Sequence, residues 1–110
     1  MGTPIWAEKL IQAGSALNTV GVLNKVTGSK ATGTVVYVTF GAGTTGGTVL
    51  IEGAADPAYP GTWATLATIN WVAANRVHET FISGAFLGRR VRISSAILTG
   101  TVDVDALVVG

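Results

Sequence analysis

This sequence predicts an all-β fold, an antiparallel β-sandwich of about eight strands that is jelly-roll-like. Three observations predict it. Fifteen glycines in 110 residues, with many threonines, break the chain at intervals of roughly ten residues, the spacing of short strands in a sandwich or barrel. Between the breaks, β-branched and aromatic residues alternate at the period of two that pleated strands impose. The length suits one domain, and a chain of this size buries roughly two-thirds of its unfolded surface, enough for one core.

The first thirty residues admit two readings. Thr3-Pro4 fits an N-cap followed by a proline at the first helical position, with Gly14 as the stop, which supports a short helix over 5–13. The rival is a strand over 7–13 and a second over 19–23. The strands are preferred, because the rest of the chain is β and a sandwich needs the extra pairs. Residues 1–30 then form an N-terminal arm and first strands, and residues 31–110 form the sandwich body of a single domain.

Residues 31–41, ATGTVVYVTFG, are the clearest strand. Val36, Val38 and Phe40 share one face, and Val35, Tyr37 and Thr39 the other. Both faces are fairly apolar, which places this strand centrally in its sheet. Residues 41–47 carry enough glycine for a hairpin loop, and 48–52 resume the β pattern. Asp56-Pro57-Ala58-Tyr59-Pro60-Gly61 is a turn-forming loop, since Pro57 and Pro60 remove two ladder donors. Residues 62–69 are the next strand. Trp63 and Leu66 do not share a simple period-two face there, which permits a bulge. Residues 70–76 read as a helical turn or a loop, 77–82 as a strand and 84–88 as a turn. Two long strands, 89–98 and 101–109, meet at Thr99-Gly100, a hairpin candidate.

Hydrophobic residues make up 48% of the chain and charged residues 12%, about half the usual charged fraction. A chain so poor in polar surface implies a partner, or an oligomer, that covers part of the outside. The formal net charge of +1 supplies no concentrated basic field, so nucleic acid is not an expected partner. The absence of cysteine excludes disulfides and thiolate metal sites. No apolar run approaches the ~18 residues of a membrane span, so no membrane partner is expected. The N-terminal MGTPIWAEKL lacks the basic region and apolar core of a secretory signal. Trp6 stands where N-myristoylation needs Ser or Thr.

Candidate chemistry is sparse. Gly41-Ala42-Gly43-Thr44-Thr45-Gly46 matches G-x-G-x-x-G, but the dinucleotide motif needs a helix next, and Thr48-Val49-Leu50-Ile51 is β-forming. His78 is the single histidine. None of Ser15, Ser29, Ser83, Ser94 and Ser95 sits in a nucleophile elbow, and an ordinary strand-surface histidine is the favoured reading over a general base. Asp103 and Asp105 point off one face. As a calcium site they fall short of six to eight oxygens, so a solvated outer face is preferred. Glu52 and Asp56 form a second such pair with the same weakness. No catalytic residue, cofactor or metal is expected, and an enzyme is the least favoured class.

Arg89, Arg90 and Arg92 are the basic cluster. Arg90 and Arg92 share a strand face, while Val91 and Ile93 face the core. One reading is a charged face that discourages edge pairing. The other is a patch that docks on an acidic protein surface, a role suited to the guanidinium fork. Among the aromatics, Trp63 is expected in the core at its strand start. Trp71 and Tyr59 lie in or near loops and suit either sugar stacking or interface anchoring. Trp6 is a candidate anchor of an N-terminal arm on a neighbouring subunit.

The run Thr48-Val49-Leu50-Ile51-Glu52-Gly53, then Ala54-Ala55-Asp56, then Thr62-Trp63-Ala64-Thr65-Leu66, resembles a pattern of small virion proteins of tailed bacteriophages, T-V-x-x-E-G-S-x-D-G-x-x-W-x-x-L. Arg90-Val91-Arg92-Ile93 and residues 98–104 are similar to the closing strands of those proteins. The resemblance covers about 31–109. The chain departs from it at Ala54, where serine is usual, and at Pro57-Ala58-Tyr59-Pro60, which expands the tight turn. The resemblance implies a β-sandwich that decorates or cements a capsid, or sits in head–tail and tail appendages, with no catalytic residues to carry over. The resulting expectation is a capsid decoration protein on the virion surface, a homotrimer bound across subunits of the major capsid protein. Two alternatives stand beside it. One is a carbohydrate-binding or host-adhesion module using Trp71 and Tyr59, and the other is a ring-forming head–tail or tail component.

Overall fold

The computed structural model describes residues 7–23, 32–84 and 88–109. Among them eight strands follow in order: β1 (Ala7–Gly14), β2 (Val20–Val22), β3 (Gly33–Phe40), β4 (Gly46–Ala54), β5 (Ala64–Asn70), β6 (Val77–Ser83), β7 (Gly88–Leu98) and β8 (Val102–Val109). The N-terminal segment is extended rather than helical from Ala7 onward. Its apolar Ile11 reaches the core by pairing beside Val104 of β8. That tertiary partner favours the strand over its helical rival, and Thr3-Pro4 lie outside the described residues.

The pairing is nested. β1 pairs with β8, β2 with β7, β3 with β6 and β4 with β5, all antiparallel. The chain is therefore one long hairpin with its tip at residues 55–63. Two further ladders, β3 with β8 and β4 with β7, roll that hairpin into two four-stranded sheets, β1-β8-β3-β6 and β2-β7-β4-β5. Eight strands in this order are a jelly roll.

Period-two alternation decides what lies between the sheets. β3 turns Val36, Val38 and Phe40 inward, β8 turns Val102 and Val104, β4 turns Val49 and Ile51, and β7 turns Val91 and Ile93. Burying each such side chain contributes about 1.5–3 kcal/mol. β3 is an inner strand of its sheet, as its two apolar faces predict.

Three local expectations change. The turns at 41–47 and 99–101 are not hairpins. β3 and β4 lie in opposite sheets, as do β7 and β8, so both turns are arches across the core. β7 is an inner strand, so its arginines do not guard an edge. His78 does not stand on the outer surface. It pairs with Val38 and shares the inward face with Ile82. The bulge in the Trp63 strand does form, with Leu66 as the extra residue between Ala67, opposite Ile51, and Thr65, opposite Glu52. Residues 70–76 form a turn around a Val72–Asn75 bridge, not a helix.

Strand directions set two ends. Loops 15–19, 41–45, 71–76 and 99–101 gather at one, tied by bonds such as Gly41 N–H to Thr101 O at 2.7 Å and Thr45 N–H to Leu98 O at 3.0 Å. The tip at 55–63 and the start of β7 lie at the other.

Candidate functional site

The arginine cluster divides between the two sides of its sheet. β7 turns Val91 and Ile93 into the core, so Arg90 and Arg92 stand on the outer face. β4 lies alongside, with Glu52 opposite Arg90 and Leu50 opposite Arg92. Arg90 Nε donates to Glu52 Oε1 at 2.7 Å, and Arg92 Nη2 donates to Oε2 at 3.2 Å. Glu52 is thereby only 3% exposed although it sits on an outer sheet face. A carboxylate is tolerated there because charge-assisted bonds engage both of its oxygens.

Trp63 closes the other side of this group. The Arg90 guanidinium carbon lies 4.5 Å from the indole centroid, within cation–π range. Indole Nε1 donates to the Tyr59 carbonyl at 3.1 Å. Trp63 is buried at the start of its strand, as expected, and packs outside the main cluster between the sheets. It precedes β5 and packs against the arginine face. Arg92 Nη1 donates to Asn18 Oδ1 at 3.2 Å. Asn18 holds a left-handed φ of 66°, which asparagine tolerates.

Arg89, one residue from Arg90, is on the inward side. It is 3% exposed, and its Nη1 donates to the Gly88 carbonyl at 3.1 Å. Burial draws its pKa down from the ordinary arginine value. The cluster therefore presents two outward guanidiniums clamped on one carboxylate, with a third beneath. The arrangement offers a rigid, positively charged, aromatic-edged surface. It holds no nucleophile–base pair.

The remaining sequence candidates scatter. Tyr59 is exposed in the tip loop, whereas Trp71 is half-buried at the opposite end, its backbone N–H donating to the Gly47 carbonyl at 3.0 Å. The seven residues of β5 separate them by roughly 20 Å at the usual strand rise, so they do not share one sugar-stacking platform. Trp6 lies outside the described residues. Asp105 pairs with Lys9 at 3.2 Å, and Asp103 accepts the Ala13 N–H at 2.6 Å. Asp56 accepts the Ala58 N–H at 2.8 Å, an Asx turn, while Glu52 is engaged by arginine. His78 packs edge-on to Phe40 with ring centroids 5.8 Å apart. Its Nε2 is buried without a hydrogen-bond partner among the described residues. Among those residues no three His, Asp or Glu side chains gather as a metal site.

The sequence reading missed the central place of Glu52 and the part played by Asn18. The outward alternation of Glu52, Arg90 and Arg92 was available, but the adjacency of β4 and β7 was not. Comparison with protein-family models, curated proteins and solved structures gives no match to this chain.

Proposed function

We propose that this chain is a virion structural protein of a tailed bacteriophage, most closely a capsid decoration protein that cements the head shell across subunits of the major capsid protein. The observation that carries this reading is the β4–β5 unit. The segment on which the resemblance rests folds as strand, turn-rich loop, buried Trp63 and strand. Composition supports the same reading. Charged residues are 12% of the chain, and Phe81, Val77, Leu66 and Val20 are exposed, as suits a protein that works against neighbours.

In this reading the protein acts mechanically from the capsid surface. It buries apolar and arginine-bearing surface across joints between shell subunits, so that the expanded head resists the pressure of packed DNA. Many modest contacts act together because the copies share one scaffold, and a homotrimer at a local threefold axis is the favoured form. Sedimentation of purified protein with isolated expanded shells tests it. The expected result is co-pelleting at a fixed ratio and a higher rupture temperature for decorated shells. Shells that bind the protein yet rupture at an unchanged temperature would sink the cement role.

A further inference from the structure

The two outer faces of the sandwich carry opposite charge. Among the described residues of the first sheet, Glu79, Asp103 and Asp105 stand outward against Lys9, a formal net of −2. Among those of the second, Arg90 and Arg92 stand against Glu52, a net of +1. Each face also offers apolar contact area. Phe81, Val35 and Leu107 form a cross-strand row on the first sheet, with Phe81 55% exposed. Its ring lies over Gly33, where any Cβ would meet it at 2.4 Å. On the second sheet, Val20 and Leu50 flank Arg92 on either side, with Val20 42% exposed.

We infer that the outer face of the first sheet docks on the outer face of the second sheet of another copy of this chain. Charge complementarity selects that occupant. Each face carries the counter-charge of the other, whereas acidic-on-acidic and basic-on-basic contacts are repulsive. The contact is therefore heterologous. Every docked pair leaves one acidic and one basic face free, so association does not stop at two. The two faces lie on opposite sides of a slab 18 Å thick, so association continues as an open stack. A four-stranded face of this length spans on the order of 500 Å² when flat, below the ~800 Å² per partner of a standard interface. The association is accordingly weak and salt-sensitive. It does not depend on shell binding, so failure of either experiment leaves the other reading intact.

Sedimentation equilibrium of the full chain over a concentration series, at low and high salt, tests the contact. Two sets of substitutions at exposed positions each cancel the charge of one face and leave the Glu52 clamp in place. They are Glu79→Lys, which takes the first sheet's face from −2 to 0, and the double variant Thr68→Glu with Asn70→Asp on β5, which takes the second from +1 to −1, with the fold of each verified by circular dichroism. Wild type should pass beyond dimer at low salt and dissociate as salt rises. Each variant alone should associate at least about tenfold more weakly, since a like charge is placed in the contact. An equal mixture of the two should recover a complex that stops at two, because the intact basic face of one meets the intact acidic face of the other, while the neutralised face offers the reversed one no counter-charge. Four results overturn the inference: a wild type that stays monomeric at millimolar concentration, a wild type that stops at dimer, a variant that associates as wild type does, or a mixture that remains monomeric.

Discussion

Glu52 meets Arg90 and Arg92 through separate carboxylate oxygens, and its removal exposes what that clamp contributes. Glu52→Gln leaves two guanidiniums facing each other with no counter-charge. Breaking a fully buried pair costs about 3–5 kcal/mol. Here the arginine side chains are 23% and 29% exposed, so the expected loss is smaller, about 2 kcal/mol after allowance for solvent screening. Urea denaturation measures it, and a midpoint equal to wild type would show that the clamp stabilises nothing. Tyr37 offers a second residue-level reading. Its hydroxyl donates to Glu79, and a tyrosinate there would face that carboxylate, so its pKa is raised above the ordinary tyrosine value. The phenol is an acid whose neutral form the fold favours. The stabilisation is therefore fully present below the unfolded pKa of about 10 and is lost as pH rises through the folded value. In Glu79→Gln, the ultraviolet titration of Tyr37 should move back toward the ordinary tyrosine range. An unmoved midpoint would remove Glu79 as the cause.

At the scale of elements, the tightest junction is where β1 passes over β2. A Cβ on Gly21 would sit 2.0 Å from the Leu10 carbonyl oxygen. The obstacle is backbone, so no side-chain rotation relieves it. Gly21→Ala should destabilise by on the order of 3 kcal/mol, the upper range for overpacking, seen as a lower thermal midpoint. A wild-type midpoint would mean that β1 does not approach β2 so closely. Leu10 also shows why part of the fold was legible and part was not. Strand positions were readable because alternation and glycine spacing are local, and they placed all eight strands within a few residues. The destination of each strand is not local. Thr99-Gly100 and residues 41–47 carry turn chemistry that serves a hairpin or an arch equally well, and only the partners of β8 and β4 decide between them. The arginine face was half legible for the same reason. Arg90 and Arg92 declare themselves by alternation, but Glu52 lies 38 residues before Arg90. His78 was misplaced because Val77 and Glu79 on either side obscure which face of β6 is apolar.

At the scale of the whole molecule, nested pairing brings Ala7 opposite Leu107. Nearly the whole chain must be threaded before its first and last strands can meet. Folding on the millisecond-to-second scale of non-local β proteins follows. The same neighbourhood of β1 and β8 has a mechanical consequence. They run antiparallel, with the start of one beside the finish of the other. Tension applied between residues 7 and 109 therefore peels their ladder open one hydrogen bond at a time. Tension between residue 7 and Thr101, at the start of β8, loads all of those bonds together in shear. In optical-tweezers pulling, the first geometry should yield at a clearly lower force than the second, and equal forces would show that another element yields first. A molecule built this way withstands strain according to where it is held, and the β1–β8 ladder is weakest when loaded from residues 7 and 109.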